Sequence, residues 1–148
     1  MLDTGLLNQG LHIQSELIQL NTLDDIQRGR IIQHLVYQEL ISIHEYADYL
    51  PHFWVREQKN SNAEVDLVYP VKNMVIPIEI KSGPTGTLRS LHQFVDSSVH
   101  PYAVRIYSGK FSVERHRTSS GKDYVLMNLP YYLVTQLPAY LNYFVENY

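Results

Sequence analysis

The 148-residue sequence contains no cysteine. Disulfides, thiolate metal sites and a cysteine nucleophile are therefore excluded. Charge is sparse and nearly balanced, with 12 Lys and Arg against 15 Asp and Glu, a formal net charge of -3 and a pI near 6.1. A domain that holds nucleic acid by bulk electrostatics is usually basic, so indiscriminate binding is disfavoured and only a local basic groove would serve. Long apolar runs are missing too: none approaches the roughly 18 residues that a membrane span needs. The N-terminal Met1-Leu2-Asp3-Thr4-Gly5 carries an acid where a signal peptide has basic residues, and no long apolar stretch follows. The expectation is a cytoplasmic protein with no membrane partner. The seven histidines are scattered without the paired spacing of zinc ligands. The phosphate-binding motif Gly-x-x-x-x-Gly-Lys-[Ser/Thr] is absent: Gly121-Lys122 has neither the leading glycine nor the hydroxyl that follows. ATP hydrolysis by that machinery is excluded.

What is present suffices for a core. Apolar residues make up 45% of the chain, and the length suits one domain spanning residues 1–148. A short helix is expected around Ile13–Leu20. The clearest helix falls within residues 22–49, with Thr22 and Asp25 as a cap-like start. Its apolar residues Ile32, Leu35, Val36, Leu40 and Ile43 recur at helical spacing, and Glu39 falls within that stripe. Three strands follow, Phe53–Glu57, Glu64–Tyr69 and Met74–Lys81, as an antiparallel meander with turns at 58–62 and 70–73. Pro77 in the third run predicts an edge or a bulge there. A helix over Leu88–Asp96, capped by Thr87, comes next. Short strands are expected at Tyr102–Tyr107, Phe111–Glu114 and Tyr124–Leu129, with a basic loop from Arg115 to Lys122. The Tyr- and Leu-rich stretch Tyr131–Tyr148 is interrupted by Pro138. The fold class is mixed α/β.

The segment from Asp66 to Lys81 carries the chemistry. Alternation puts Glu79 and Lys81 on one strand face, with Ile76, Ile78 and Ile80 on the other, and gives Glu64 and Asp66 a shared face on the neighbouring strand. If the two strands pair across the turn, Asp66 and Glu79 lie side by side near an ammonium. That is an oxygen-donor site for Mg²⁺, with the Ile80 carbonyl completing the protein ligands. Such an ion polarises a phosphoryl oxygen and lowers the pKa of bound water, and Lys81 would orient that water. An acid at Glu39, pointing inward from the helix, needs a partner, a metal or a raised pKa. The same residue types also occur on ordinary solvated strands and in helix ion pairs.

Several segments carry a resemblance. Asp66 followed by Glu79-Ile80-Lys81, behind a helix bearing an inward acid, resembles the PD-(D/E)XK nuclease superfamily. Asp3-Thr4-Gly5-Leu6-Leu7, Arg28-Gly29 to Glu39-Leu40, Phe53-Trp54-Val55-Arg56-Glu57, Ala63-Glu64-Val65-Asp66 and Ile76 to Gly83 are similar to the C-terminal domain of a family of bacterial and archaeal AAA-type ATPases. The resemblance covers residues 3–135. It implies a restriction-endonuclease-like fold, a mixed central sheet flanked by helices with an αβββαβ core. It implies a nuclease-like activity at Asp66, Glu79 and Lys81, with Glu39 as the second of two helical acids. At the first of those acids this chain has Gln33, so one charge is lost. In that family an ATPase module precedes the domain. The chain is then expected to be a fragment of a longer protein or a reduced gene, with an ATPase module as a partner. The same resemblance admits a non-catalytic interaction or assembly module that keeps the fold.

Further candidates are weaker. The loop Ser82–Thr87 opens a helix and could hold a phosphate on its N–H groups. Arg89, His92 and Gln93 lie near it. Arg115, His116, Arg117 and Lys122 form a small basic group that could touch a nucleic-acid backbone. Of twelve tyrosines, Tyr131, Tyr132, Tyr140, Tyr143 and Tyr148 crowd the C-terminal stretch and suit self-association.

Overall fold

The computed structural model describes residues 6, 9–10, 25–45, 48–56, 63–83 and 86–148. The expected helix at Ile13–Leu20, the Thr22 cap, the segment Asp3-Thr4-Gly5 and the turn at 58–62 lie outside the described residues. The elements run in the order α1 (Asp25–Ile43), β1 (His52–Arg56), β2 (Ala63–Val71), β3 (Met74–Ile80), α2 (Arg89–Ser97), β4 (Tyr102–Tyr107), β5 (Ser112–Arg117), β6 (Asp123–Pro130), a 3₁₀ helix (Tyr131–Gln136) and α3 (Leu137–Asn147). The run from α1 to β4 is thus αβββαβ. The six strands form one mixed sheet in the order β1-β2-β3-β4-β6-β5. β1, β2 and β3 are antiparallel neighbours, β3, β4 and β6 run parallel, and β5 returns antiparallel on β6. Among the described residues no helix is long and apolar enough to cross a membrane.

Helices cover both faces of the sheet. One face packs Val36 and Leu40 of α1, Val134 of the 3₁₀ helix and Leu137, Leu141 and Phe144 of α3 against Leu67, Ile76, Ile78, Val104, Ile106, Met127 and Leu129. The other packs Leu91 and Val95 of α2 against Val65, Ala103, Tyr124 and Leu126, with Trp54 meeting Phe94 edge-on at 5.2 Å between centroids. Alternation in β4 and β6 sorts neighbouring residues onto these two clusters. An interior place in the sheet, with both faces covered, explains why β3 and β6 read as nearly continuous apolar runs.

Several boundaries differ from the sequence expectation. α1 stops at Ile43, where the His44 amide turns back to the Ile41 carbonyl and the His44 ring stacks on Tyr49 at 3.5 Å. Leu88, not Thr87, is the N-cap of α2, with no side-chain capping bond. Arg115, His116 and Arg117 belong to strand β5 rather than to a loop. Pro138 stands in the first turn of α3, where a missing N–H costs nothing, so it opens that helix. The hairpin turn narrows to Lys72-Asn73, with Lys72 at φ 52, and Pro70 stays inside β2.

Pro77 neither lies on an edge nor makes a bulge. β3 is central, and Pro77 faces Val68 in regular register. It is tolerated because the ladder with β4 starts one residue later, at Ile78↔Val104. The bulge is on β2. His52 pairs with Val68 and Trp54 with Val65, so Asp66 and Leu67 together oppose Phe53. Val65 consequently joins the α2-side cluster while Leu67, two residues on, joins the opposite one.

Candidate functional site

The bulge places Asp66. One step beyond the last β2–β3 pair, Leu67↔Ile78, its carboxylate Oδ2 accepts the Ile80 N–H at 2.8 Å. Glu79 stands between Ile78 and Ile80 and is itself buried at 7% exposure. Its Oε1 accepts from Lys81 Nζ at 2.6 Å, and its Oε2 is buried with no hydrogen-bond partner. Asp66, Glu79 and Lys81, named from the sequence, therefore come together at the end of β3.

Electrostatics follow from burial. Desolvation, then the neighbouring Asp66 charge, push Glu79 up to about 7, against the opposing hydrogen bond from Lys81. Desolvation also raises Asp66, offset in part by the Ile80 N–H. A buried and a half-buried carboxylate that repel each other, the buried one with an orphaned oxygen, form a site short of positive charge. Lys81 supplies one cation. Its stem lies against Gly86, where a Cβ would come within 3.0 Å of Lys81 Cδ and where φ is +155°. Its carbonyl accepts from the Tyr131 hydroxyl at 3.1 Å, and the Ser82 carbonyl does so at 2.7 Å.

Helix α1 reaches the site by a route different from the one expected. The Tyr37 hydroxyl donates to the backbone carbonyl of Asp66, and Gln33 Nε2 donates to the Tyr37 oxygen at 3.1 Å. Gln33 thus acts through its amide N–H on a phenol. Glu39 is not brought to Asp66 and Glu79. The buried stripe of α1 centres on Val36 and Leu40, and Glu39 and Tyr37 flank it on opposite sides, ~160° apart. Half-buried Glu39 lines a shallow groove with Leu35, Tyr131, Tyr132 and Thr135. Nor do Glu64 and Asp66 keep the face expected from alternation, because the bulge falls between them: Glu64 is exposed opposite Val55 while Asp66 is half-buried.

Tyr37, Tyr131 and Gly86 were not singled out as site residues from the sequence. Tyr37 had a usable signal, standing one helical turn from Gln33. Tyr131 and Gly86 act through contacts that no local pattern encodes.

Several of the other candidates are engaged elsewhere, whereas Gln93 keeps a buried Oε1 without a hydrogen-bond partner. His92 sits between the Tyr124 hydroxyl, 3.1 Å away, and Ser119, 3.4 Å away. On β5, Arg117 is held by Asp123 at 2.6 Å and His116 by Glu114 at 2.9 Å. Arg115, His116, Arg117, Tyr124 and Tyr148 border an open groove of about 520 Å³, whose basic side chains are thus largely paired. Lys122 donates to the Val95 and Ser98 carbonyls at the end of α2.

Among the described residues no three His, Cys, Asp or Glu converge. Two carboxylates, Asp66 and Glu79, are near enough for one charge to act on the other, and Glu79 has a buried, unpartnered oxygen. Mg²⁺ commonly takes one or two carboxylates, the rest of its shell being water or carbonyl oxygen. The residues present fit such an ion, and they do not fit zinc.

Among curated proteins, none matches this chain. A family model described as a domain of unknown function (DUF4143) matches residues 28–132, which takes in most of α1, the whole sheet and the site, and the chain belongs to that family.

Proposed function

We propose that this domain is a metal-dependent, nuclease-like phosphodiesterase of the PD-(D/E)XK type, with its site at Asp66, Glu79 and Lys81. The observation that carries the reading is the unpartnered Glu79 Oε2, buried beside Asp66 and an ammonium. Asp66 and Glu79 would hold Mg²⁺, or Mn²⁺ in its place, with the Ile80 carbonyl as a third protein ligand. The ion would supply charge stabilisation for a phosphoryl oxygen and an acidified water. Lys81 would donate to the attacking water or to the developing charge. Asp66 keeps its orientation through the Ile80 N–H. Glu39 takes no part in this site. A nucleic-acid backbone is the proposed substrate class, and an AAA-type ATPase module the proposed neighbour in a longer protein.

A second reading, an interaction or assembly module, draws on one observation. Leu35 and Tyr132 are exposed beside the Glu39 groove, and Tyr143 and Tyr148 are exposed on and beyond α3. That apolar surface suits self-association or an ATPase partner.

The test is calorimetric Mn²⁺ titration alongside cleavage of single- and double-stranded DNA and RNA, for wild type, Glu79→Ala and Lys81→Ala. The nuclease reading predicts that Glu79→Ala loses both binding and cleavage, while Lys81→Ala binds the ion but cuts at least 100-fold more slowly. Cleavage unchanged in both variants, or no ion bound by wild type, would defeat it. Light scattering that shows a dimer closed by Tyr132 and Tyr143 would then favour the module.

A further inference from the structure

Asp66 is the surplus residue of the β2 bulge. It has no Cα partner in the register of either β1 or β3. A bulge leaves backbone groups outside the ladder, and a strand free to smooth itself would turn the Asp66 side chain away. Two bonds hold it. The Ile80 N–H fixes the carboxylate from β3, and the Tyr37 hydroxyl takes the Asp66 carbonyl from α1. Tyr37 is in turn placed by Gln33, and its ring packs with the cluster around Val36 and Leu40.

We propose that Tyr37 is a positioning residue that clamps the bulge and so aims the Asp66 carboxylate at the end of β3, with Gln33 holding the phenol in place. This rests on the proposed reading of Asp66 as a ligand, but the clamp itself is a property of the chain with no ion bound. Tyr37 touches neither ion nor substrate. It acts through one backbone carbonyl. The phenol ring belongs to the core, whereas the hydroxyl donates to the bulge and accepts from Gln33. Tyr37→Phe therefore separates the two roles.

The experiment is amide hydrogen exchange by NMR on the metal-free protein, followed by Mn²⁺ titration. In Tyr37→Phe the Ile80 amide, bonded to Asp66 Oδ2, should exchange about tenfold faster. The next amide, Lys81, bonded to the Ile106 carbonyl, should stay as protected as in wild type. Mn²⁺ affinity should fall roughly tenfold, as expected for loss of an outer support. Gln33→Met should show the same selective change at Ile80 with smaller size, and it carries the test if Tyr37→Phe does not fold. Unchanged protection at Ile80, or equal acceleration at Ile80 and Lys81, would overturn the clamp. If wild type takes up no Mn²⁺, the metal reading falls and the exchange comparison still decides the role of Tyr37.

Discussion

Two carboxylate–cation pairs sit at different places on the same sheet and behave in opposite ways. Near the end of β3, Glu79 and Lys81 are 2.6 Å apart, with side chains 9% and 25% exposed. On the β5–β6 hairpin, Arg117 and Asp123 are also 2.6 Å apart, but 66% and 74% exposed. Distance is equal and environment is not. Water screens the hairpin pair, and Asp123 is lowered chiefly by its hydrogen bond with Arg117. At the site, burial outweighs the ammonium, so Glu79 is raised despite its partner. The surroundings of the Glu79–Lys81 pair leave it unfavourable, and the hairpin pair lacks that property.

The sharpest way to probe this contrast is pH. Glu79 has a folded-state value raised from 4.5 to about 7. Its contribution to stability is therefore fully present below about pH 4.5 and lost as pH rises through 7. The loss approaches about 3 kcal/mol when both states are ionised. Glu79→Gln removes this cost. In urea unfolding without divalent ions, the variant should exceed wild type by about 1–3 kcal/mol at pH 8 and nearly match it at pH 4.5. A difference independent of pH would show that Glu79 is not held in this way.

The next effect tests whether burial alone distinguishes the regions, because the hairpin has one fully buried polar group. Asn128 accepts from Arg105 Nε at 2.8 Å and donates to Ser112 and Glu114 at 2.9 and 3.0 Å. Its bonds are made, unlike those of Glu79 Oε2. Asn128→Leu should cost about 1–3 kcal/mol in urea unfolding, with little pH dependence between 5 and 8. The smallest effect is expected at the exposed pair: Arg117→Met should leave the unfolding midpoint unmoved, and added salt should change wild type and variant alike. A clear destabilisation there would erase the distinction between the two ion pairs.

Much of the scaffold was legible because its signals are local. The apolar spacing of α1, the β-branched run Met74–Ile80 and the alternation in Tyr102–Tyr107 each act within a few residues. The antiparallel pairing of β2 with β3 followed from the short turn. Asp66, Glu79 and Lys81 were legible for the same reason, since one hairpin brings them together. The errors came where distant contacts decide. Glu39 looks central when Leu35 is counted into the stripe, yet the sheet meets the helix at Val36 and Leu40 and leaves Leu35 at 38% exposure. Pro77 points to an edge or a bulge because the sequence does not tell where the neighbouring parallel ladder begins. The bulge was invisible, because Val65 and Leu67 are both buried and look like simple alternation although they face opposite clusters.

That bulge has a consequence for what the sheet requires. Strike Asp66 out, and Trp54 would still meet Val65, Phe53 would meet Leu67, and His52 would meet Val68, an unbroken antiparallel ladder with each apolar side chain on the cluster it already occupies. A chain shortened by that one amino acid should keep its strand pairing and gain regularity, at the expense of the carboxylate that takes the Ile80 N–H and of the carbonyl that takes the Tyr37 hydroxyl. Apolar packing therefore gives no reason for Asp66 to be present; what the residue adds to the sheet is a pair of polar acceptors, one for Ile80 and one for Tyr37.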